Sequence, residues 1–120
     1  MQNDAKTTAS ARPTAIITGA SSGIGEAASR ALAHAGYDLA LIARRRSLLD
    51  LCAKQVEEIG TNAYPIVADL ADEVQTDEAV REACESLGRV DLLVNNAGYS
   101  PGAAIEQFRR QQMRHIFDVN

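Results

Sequence analysis

The chain has 120 residues, 46% of them hydrophobic and 23% charged, the balance of one ordinary globular domain rather than of a disordered or collagen-like chain. Twelve basic residues against sixteen acidic ones leave a net charge of -4, which opposes a phosphate polyanion and argues against nucleic acid as a general partner. Two cysteines, Cys52 and Cys84, are too few for a disulfide framework, and neither stands in a C-x-x-C pair or at ligand spacing from a histidine, so no metal site is expected.

Residues 1–13, MQNDAKTTASARP, are polar, lack the apolar core of a signal peptide and read as a loose arm. No apolar run approaches the ~20 residues that span a bilayer. The expectation is a cytosolic, reducing setting with no membrane partner. After the arm, Thr14 to Thr18 (TAIIT) has the length and residue types of a buried strand, stopping at Gly19. From Gly23 to Ala35, Ile24, Ala28, Ala31, Leu32 and Ala35 recur at helical spacing, with Gly36 placed as a helix stop. Asp38 to Ala43 (DLALIA) gives a second strand. Ser47 to Ile59 gives a second helix, with Ser47 as N-cap, Gly60 as stop, and Leu48, Cys52, Val56 and Ile59 on its inner face.

A third strand fits Ala63 to Ala68 (AYPIVA), where Pro65 points to a sheet edge or a forgone ladder hydrogen bond. Val80, Ala83, Cys84 and Leu87 mark a third helix ending at Gly88, Asp91 to Asn95 (DLLVN) a fourth strand, and Ile105 to Val119 a fourth helix. Strands alternating with helices predict an α/β, Rossmann-type doubly wound parallel sheet of four strands in the order 3-2-1-4.

The segment Thr18-Gly19-Ala20-Ser21-Ser22-Gly23-Ile24-Gly25 joins the first strand to the first helix. The N–H groups that open a helix have no partner within it, and a diphosphate placed there gains hydrogen bonds and the positive end of the dipole. Gly19 permits a tight turn, Gly23 clears a path for phosphate, Gly25 lets the helix approach the sheet, and Ser21 and Ser22 add hydroxyl donors. The spacing is neither G-x-G-x-x-G nor a Walker loop. A simple turn remains an alternative, and so does the G-x-S-x-G elbow of a serine hydrolase, formed by Gly19 to Gly23. Against the hydrolase, few residues precede the elbow, and His34 and His115 both fall in helical patterns.

With these elements placed, residues 14–120 resemble the N-terminal half of the classical short-chain dehydrogenase/reductase family. Four segments carry the resemblance: Thr18 to Gly25 as T-G-x-x-x-G-I-G, Asp69-Leu70, Asn95-Asn96-Ala97-Gly98, and Asn120. It implies that Gly19, Ser21, Ser22, Gly23, Ile24 and Gly25 bind the coenzyme pyrophosphate. Asp69 and Leu70 would read the adenine, and Asn96, Ala97 and Gly98 would face a ribose. Asn120 is the one catalytic residue implied, orienting a proton-relay water. A capping aspartate at position 69 and a plain Asn-Ala-Gly turn are the bland alternatives.

The second strand runs into Arg44 and Arg45 with no acidic residue at the turn. A carboxylate there accepts from a ribose 2′-OH and repels a 2′-phosphate, while arginine does the reverse. The expected coenzyme is therefore NADP(H) rather than NAD(H), clamped by Arg44 and Arg45, with Arg46 exposed.

The family's reaction, hydride transfer to or from a carbonyl or secondary alcohol, needs a serine and a Tyr-x-x-x-Lys pair. Tyr37, Tyr64 and Tyr99 are followed four positions on by Leu41, Ala68 and Ala103. The expectation is a half-domain cut before those catalytic elements, inactive alone, with Leu92 to Val94 left as an unpaired sheet edge. The resemblance implies a small-molecule substrate and a homo-oligomer for the whole protein. A dinucleotide-binding protein without catalysis stays open as the alternative.

Overall fold

A computed structural model describes residues 12–21, 23–96 and 115–118. Five strands form one parallel sheet: β1 (Thr14–Thr18), β2 (Asp38–Ala43), β3 (Ala63–Val67), β4 (Leu92–Asn95) and β5 (His115–Asp118), in the order β3-β2-β1-β4-β5. Among the described residues three helices connect the first four strands: α1 (Gly23–His34), α2 (Arg46–Ile59) and α3 (Glu73–Leu87). The expected order 3-2-1-4 is present, with Pro65 on β3 at an edge.

Successive strand side chains point to opposite faces, so a sheet covered on both sides needs apolar residues at nearly every position. On one face Ala15, Ile17, Leu39, Leu41 and Val94 pack with Leu49, Cys52 and Val56 of α2 and Ala33 of α1. On the other, Ile16, Ala40, Ile42 and Leu93 pack with Ala79, Val80, Ala83 and Cys84 of α3. The division follows from crossover handedness: β1 to β2 to β3 travels one way across the sheet, and β3 to β4 travels back, which puts its helix on the opposite side.

Three helix expectations change. Leu49, Cys52, Ala53 and Val56 form the buried face of α2, while Leu48 is 38% exposed. That helix begins at Arg46, so its N-cap is Arg45 rather than Ser47, and no side chain caps it. In α1 the buried residues are Gly25, Ser29 and Ala33, whereas Ile24 is 60% exposed and Ala31 and Ala35 are also exposed. In α1 small side chains allow close approach to the sheet, so its tightest-packed stripe is not the most hydrophobic one.

The fourth helix expected over Ile105 to Val119 is not present at its C-terminal part, because residues 115–118 are a strand. β5 pairs in parallel with β4, matching Leu92 with His115 and Asn95 with Asp118. The edge expected at Leu92 to Val94 is therefore filled. An exposed row of backbone donors and acceptors is costly, and pairing an extended segment along it satisfies them.

At the N-terminal ends of the strands, side chains close the sheet. Asp91 is buried and accepts from the Thr14 N–H at 3.0 Å and from Arg89 Nη2 at 2.9 Å. Asp38 Oδ1 accepts from the Asn62 N–H at 2.8 Å and pairs with Arg12 at 3.0 Å. Their carboxyl ends instead open into a cleft.

Candidate functional site

The cleft has a volume of about 430 Å³ and lies where the exits of four strands meet. From the β1 exit come Gly19 and Ser21, and from the β2 exit Arg44 and Arg45. The β3 exit brings Asp69 and Leu70, and the β4 exit Asn96. Residues separated by up to 77 positions are thus brought together at the switch point of the sheet.

Backbone bonds explain how each segment is held. The Gly19 and Ala20 N–H groups donate to the Ile42 carbonyl at 2.8 and 3.2 Å, anchoring the glycine turn to β2. The Ala68 N–H donates to the Ala43 carbonyl at 2.9 Å, fixing the β3 exit. Thr18, 1% exposed, donates from its hydroxyl to Asn95 Oδ1 at 2.7 Å and accepts from the Asn96 N–H at 3.0 Å. The Asn96 amide in turn reaches the Gly19 carbonyl at 3.4 Å.

The glycines divide the labour. Gly19 has φ +68° and Gly23 φ +48°, a backbone region that L side chains rarely adopt. A β-carbon on Gly25 would lie 1.9 Å from the Gly19 carbonyl oxygen, so α1 can start where it does only with glycine there. A β-carbon on Gly23 would meet nothing within 4 Å: that space is open. Gly23, Ile24 and Gly25 form the first turn of α1 beside the cleft rather than its lining.

Electrostatically the β2 exit is a cationic patch. Arg44 and Arg45 are exposed, and among the described residues neither has a carboxylate partner. Arg46, exposed as expected, pairs with Asp50 one turn on at 3.4 Å. The first turn of α2 contains no acidic residue. Across the cleft, Asp69 Oδ1 accepts from the Ala71 N–H at 3.0 Å, and the Leu70 N–H has no hydrogen-bond partner among the described residues. The helix-capping aspartate is Asp72, which accepts from the Val74 and Gln75 N–H groups at 2.9 and 3.1 Å.

Ala43, Leu48 and Ala71 also line the cleft; none was expected in the site, and Leu48 was expected on the inner face of its helix instead. The signal that could have found Leu48 is its place in the first turn of α2, just after the arginine pair. Ser22, Ala97, Gly98 and Asn120 lie outside the described residues. His34 is exposed in the last turn of α1, the opposite end from Ser21, and offers that serine no base.

Both thiols are buried and free. Cys52 Sγ donates to the Ala20 carbonyl at 3.6 Å beneath the glycine turn, and burial pushes its pKa up, partly offset by a hydrogen bond with Ser29. Burial pushes the Cys84 thiol up to about 11. Neither is a nucleophile at neutral pH.

Comparison with known proteins agrees with this arrangement. The family described as short chain dehydrogenase matches residues 13–120. An uncharacterized oxidoreductase of Methylorubrum extorquens is 38% identical over 107 residues, 88% of this chain and 43% of that protein. Among solved structures, an NAD+-bound xylitol dehydrogenase superposes with a TM-score of 0.68 at 33% identity, over 72% of this chain and 34% of that one. An alcohol dehydrogenase of the archaeon Thermococcus sibiricus, complexed with 5-hydroxy-NADP, superposes with a TM-score of 0.66 at 39% identity, over 69% and 36%. The chain spans less than half the length of these relatives. A match running from the residue before β1 to the last residue, on a sheet wound in this order, leaves one assignment: the chain belongs to the short-chain dehydrogenase/reductase family.

Proposed function

We propose that this chain forms the coenzyme half of an NADP(H)-dependent oxidoreductase acting on a small carbonyl compound or secondary alcohol. The family binds a nicotinamide dinucleotide. The observation that carries the NADP(H) preference is that Arg44 and Arg45, without a carboxylate partner among the described residues, stand on a cleft also lined by the glycine turn. Two cations beside the positive end of α2 are mutually unfavourable, by roughly 0.3–1 kcal/mol each at an exposed helix start. A 2′-phosphate turns that repulsion into charge-assisted hydrogen bonds. The one carboxylate in the cleft's described lining, Asp69, stands at the β3 exit and not at the β2 exit, where a ribose 2′-OH would seek it.

The residues present fit a dinucleotide. Open space at Gly23 and the unpartnered amides that begin α1 suit a pyrophosphate. Asp69 and the Leu70 N–H suit an adenine edge, and Asn96 lines the cleft where the family resemblance has Asn96, Ala97 and Gly98 face a ribose. When bound, the coenzyme supplies the hydride at its nicotinamide C4. This chain's residues bind and orient it, with Asn120 placing a proton-relay water as the family resemblance implies. No tyrosine among the 120 residues has a lysine four positions later, so we infer that these residues alone bind coenzyme without turning it over.

Calorimetric titration of the native gene product, wild type and the double variant Arg44→Ala/Arg45→Ala, tests the reading. Each good charge-assisted bond contributes roughly 1.5–3 kcal/mol, so the variant should lose at least about tenfold in NADPH affinity with NADH spared. Equal losses for both coenzymes would overturn the phosphate clamp. No heat from either coenzyme with the wild type would overturn the site.

A further inference from the structure

We propose that Gln75, outside the cleft, is a positioning residue for the adenine end of the site; the inference rests on the coenzyme reading above and deepens it. Asp72 is the N-cap of α3 and Gln75 stands three residues on, the two positions of a capping box. In that motif the second side chain returns to the N-cap N–H. Here the Asp72 N–H is already donated to the Asp69 carbonyl at 3.0 Å. Gln75 Oε1 reaches past it and accepts from the Asp69 N–H at 3.0 Å. Its Nε2 lies 3.5 Å from Asp72 Oδ2, which turns the carbonyl end of the amide toward Asp69.

Asp69 is therefore held on three sides: N–H by Gln75, carbonyl by the Asp72 N–H, and Oδ1 by the Ala71 N–H at 3.0 Å. Asp69 and Leu70 both line the cleft, and among the described residues no hydrogen bond engages Oδ2 of Asp69 or the N–H of Leu70. They form an acceptor beside a donor. An adenine edge presents the complement, an amino donor beside a ring acceptor, whereas hypoxanthine presents the reverse pair. A site built to hydrogen-bond a particular edge rejects the analogue that lacks it, provided its groups are held in place. Gln75 holds them: it is the described partner of the Asp69 N–H, and it ties the β3 exit to the rigid start of α3.

The test compares NADPH with its deamino analogue, which carries hypoxanthine, by fluorescence titration of the native gene product. Wild type should favour NADPH by about tenfold. Gln75→Met keeps side-chain length and helix propensity but removes the amide acceptor, and should bring the preference to about twofold or less. Gln75→Glu, which keeps an acceptor oxygen, should restore it. A purely structural role would lower the melting temperature of Gln75→Met and leave the preference intact, and that result overturns the proposal. Should Gln75→Met not fold, Gln75→Ser, too short to reach Asp69, is read the same way. A wild type that binds both coenzymes equally also overturns it, together with the adenine role of Asp69. Binding of neither points instead to failure of the coenzyme reading itself.

Discussion

A β-carbon at Gly25 collides with the Gly19 carbonyl, whereas one at Gly23 enters open space, so the same substitution should have opposite consequences at the two positions. Gly25→Ala forces the glycine turn and α1 apart and should cost at least about 2 kcal/mol of stability in urea denaturation. Gly23→Ala carries only the strain of its positive φ, about 1–2 kcal/mol, and should fold. It should nevertheless lose coenzyme binding, because the new methyl group occupies the phosphate's approach. A Gly23→Ala protein that binds normally would exclude phosphate from that position. At Cys84 burial makes stability depend on pH. The folded thiol titrates near 11, against an ordinary value of 9.0. The charged form is the one that burial disfavours, so the thiol's contribution is complete below pH 9.0 and is lost as pH rises toward 11, on the order of 2 kcal/mol. Cys84→Ser should flatten that alkaline decline in a series of urea midpoints.

Among the elements, α3 has the strongest local signals. Asp72 caps it through two backbone N–H groups, and Gly88 ends it with φ +78°. Asp72→Ala should cost about 1 kcal/mol, read as a lower urea midpoint at unchanged slope. The Asp72 cap was not legible, since the capping aspartate considered from sequence was Asp69. The Gly88 stop was legible because it is a local signal, and the strands because a doubly covered sheet must be apolar throughout. The helix faces were less so. Leu48 and Leu49 are adjacent and chemically identical, and only the helix start one residue before Ser47 decides which faces the sheet. In α1 the buried stripe of Gly25, Ser29 and Ala33 is selected by size, which a hydrophobicity pattern does not register. Of the site, the four strand exits could be anticipated in order. Their convergence with Leu48 and Ala71 could not, since a cleft wall is made of tertiary neighbours. Gln75 escaped notice for a related reason: its acceptor reaches a backbone N–H beyond the usual capping partner.

At the scale of the molecule, β1 has neighbours on both sides, and the reversal of strand order around it opens the cleft. Closure of the other end by Asp91, Arg89 and Thr14 leaves the carboxyl edge as the side free for a ligand. The position of β4 is the sharpest point at which the fold departs from the expectation drawn from sequence. An edge strand has one unpaired side, so alternate amides exchange with solvent quickly; an interior strand protects them all. β4 pairs with β1 through Ala15 to Thr18 and with β5 through His115 to Asp118. Native-state hydrogen exchange should accordingly find the amides of Leu92 to Asn95 protected without alternation, while β3, which carries Pro65 at the far edge, exchanges at its outer side. Removing residues 115–120 should restore alternation in β4 and promote association between chains, because the newly bared edge is a template for another strand. Alternating fast exchange in the intact chain would show that β5 does not hold that edge in solution.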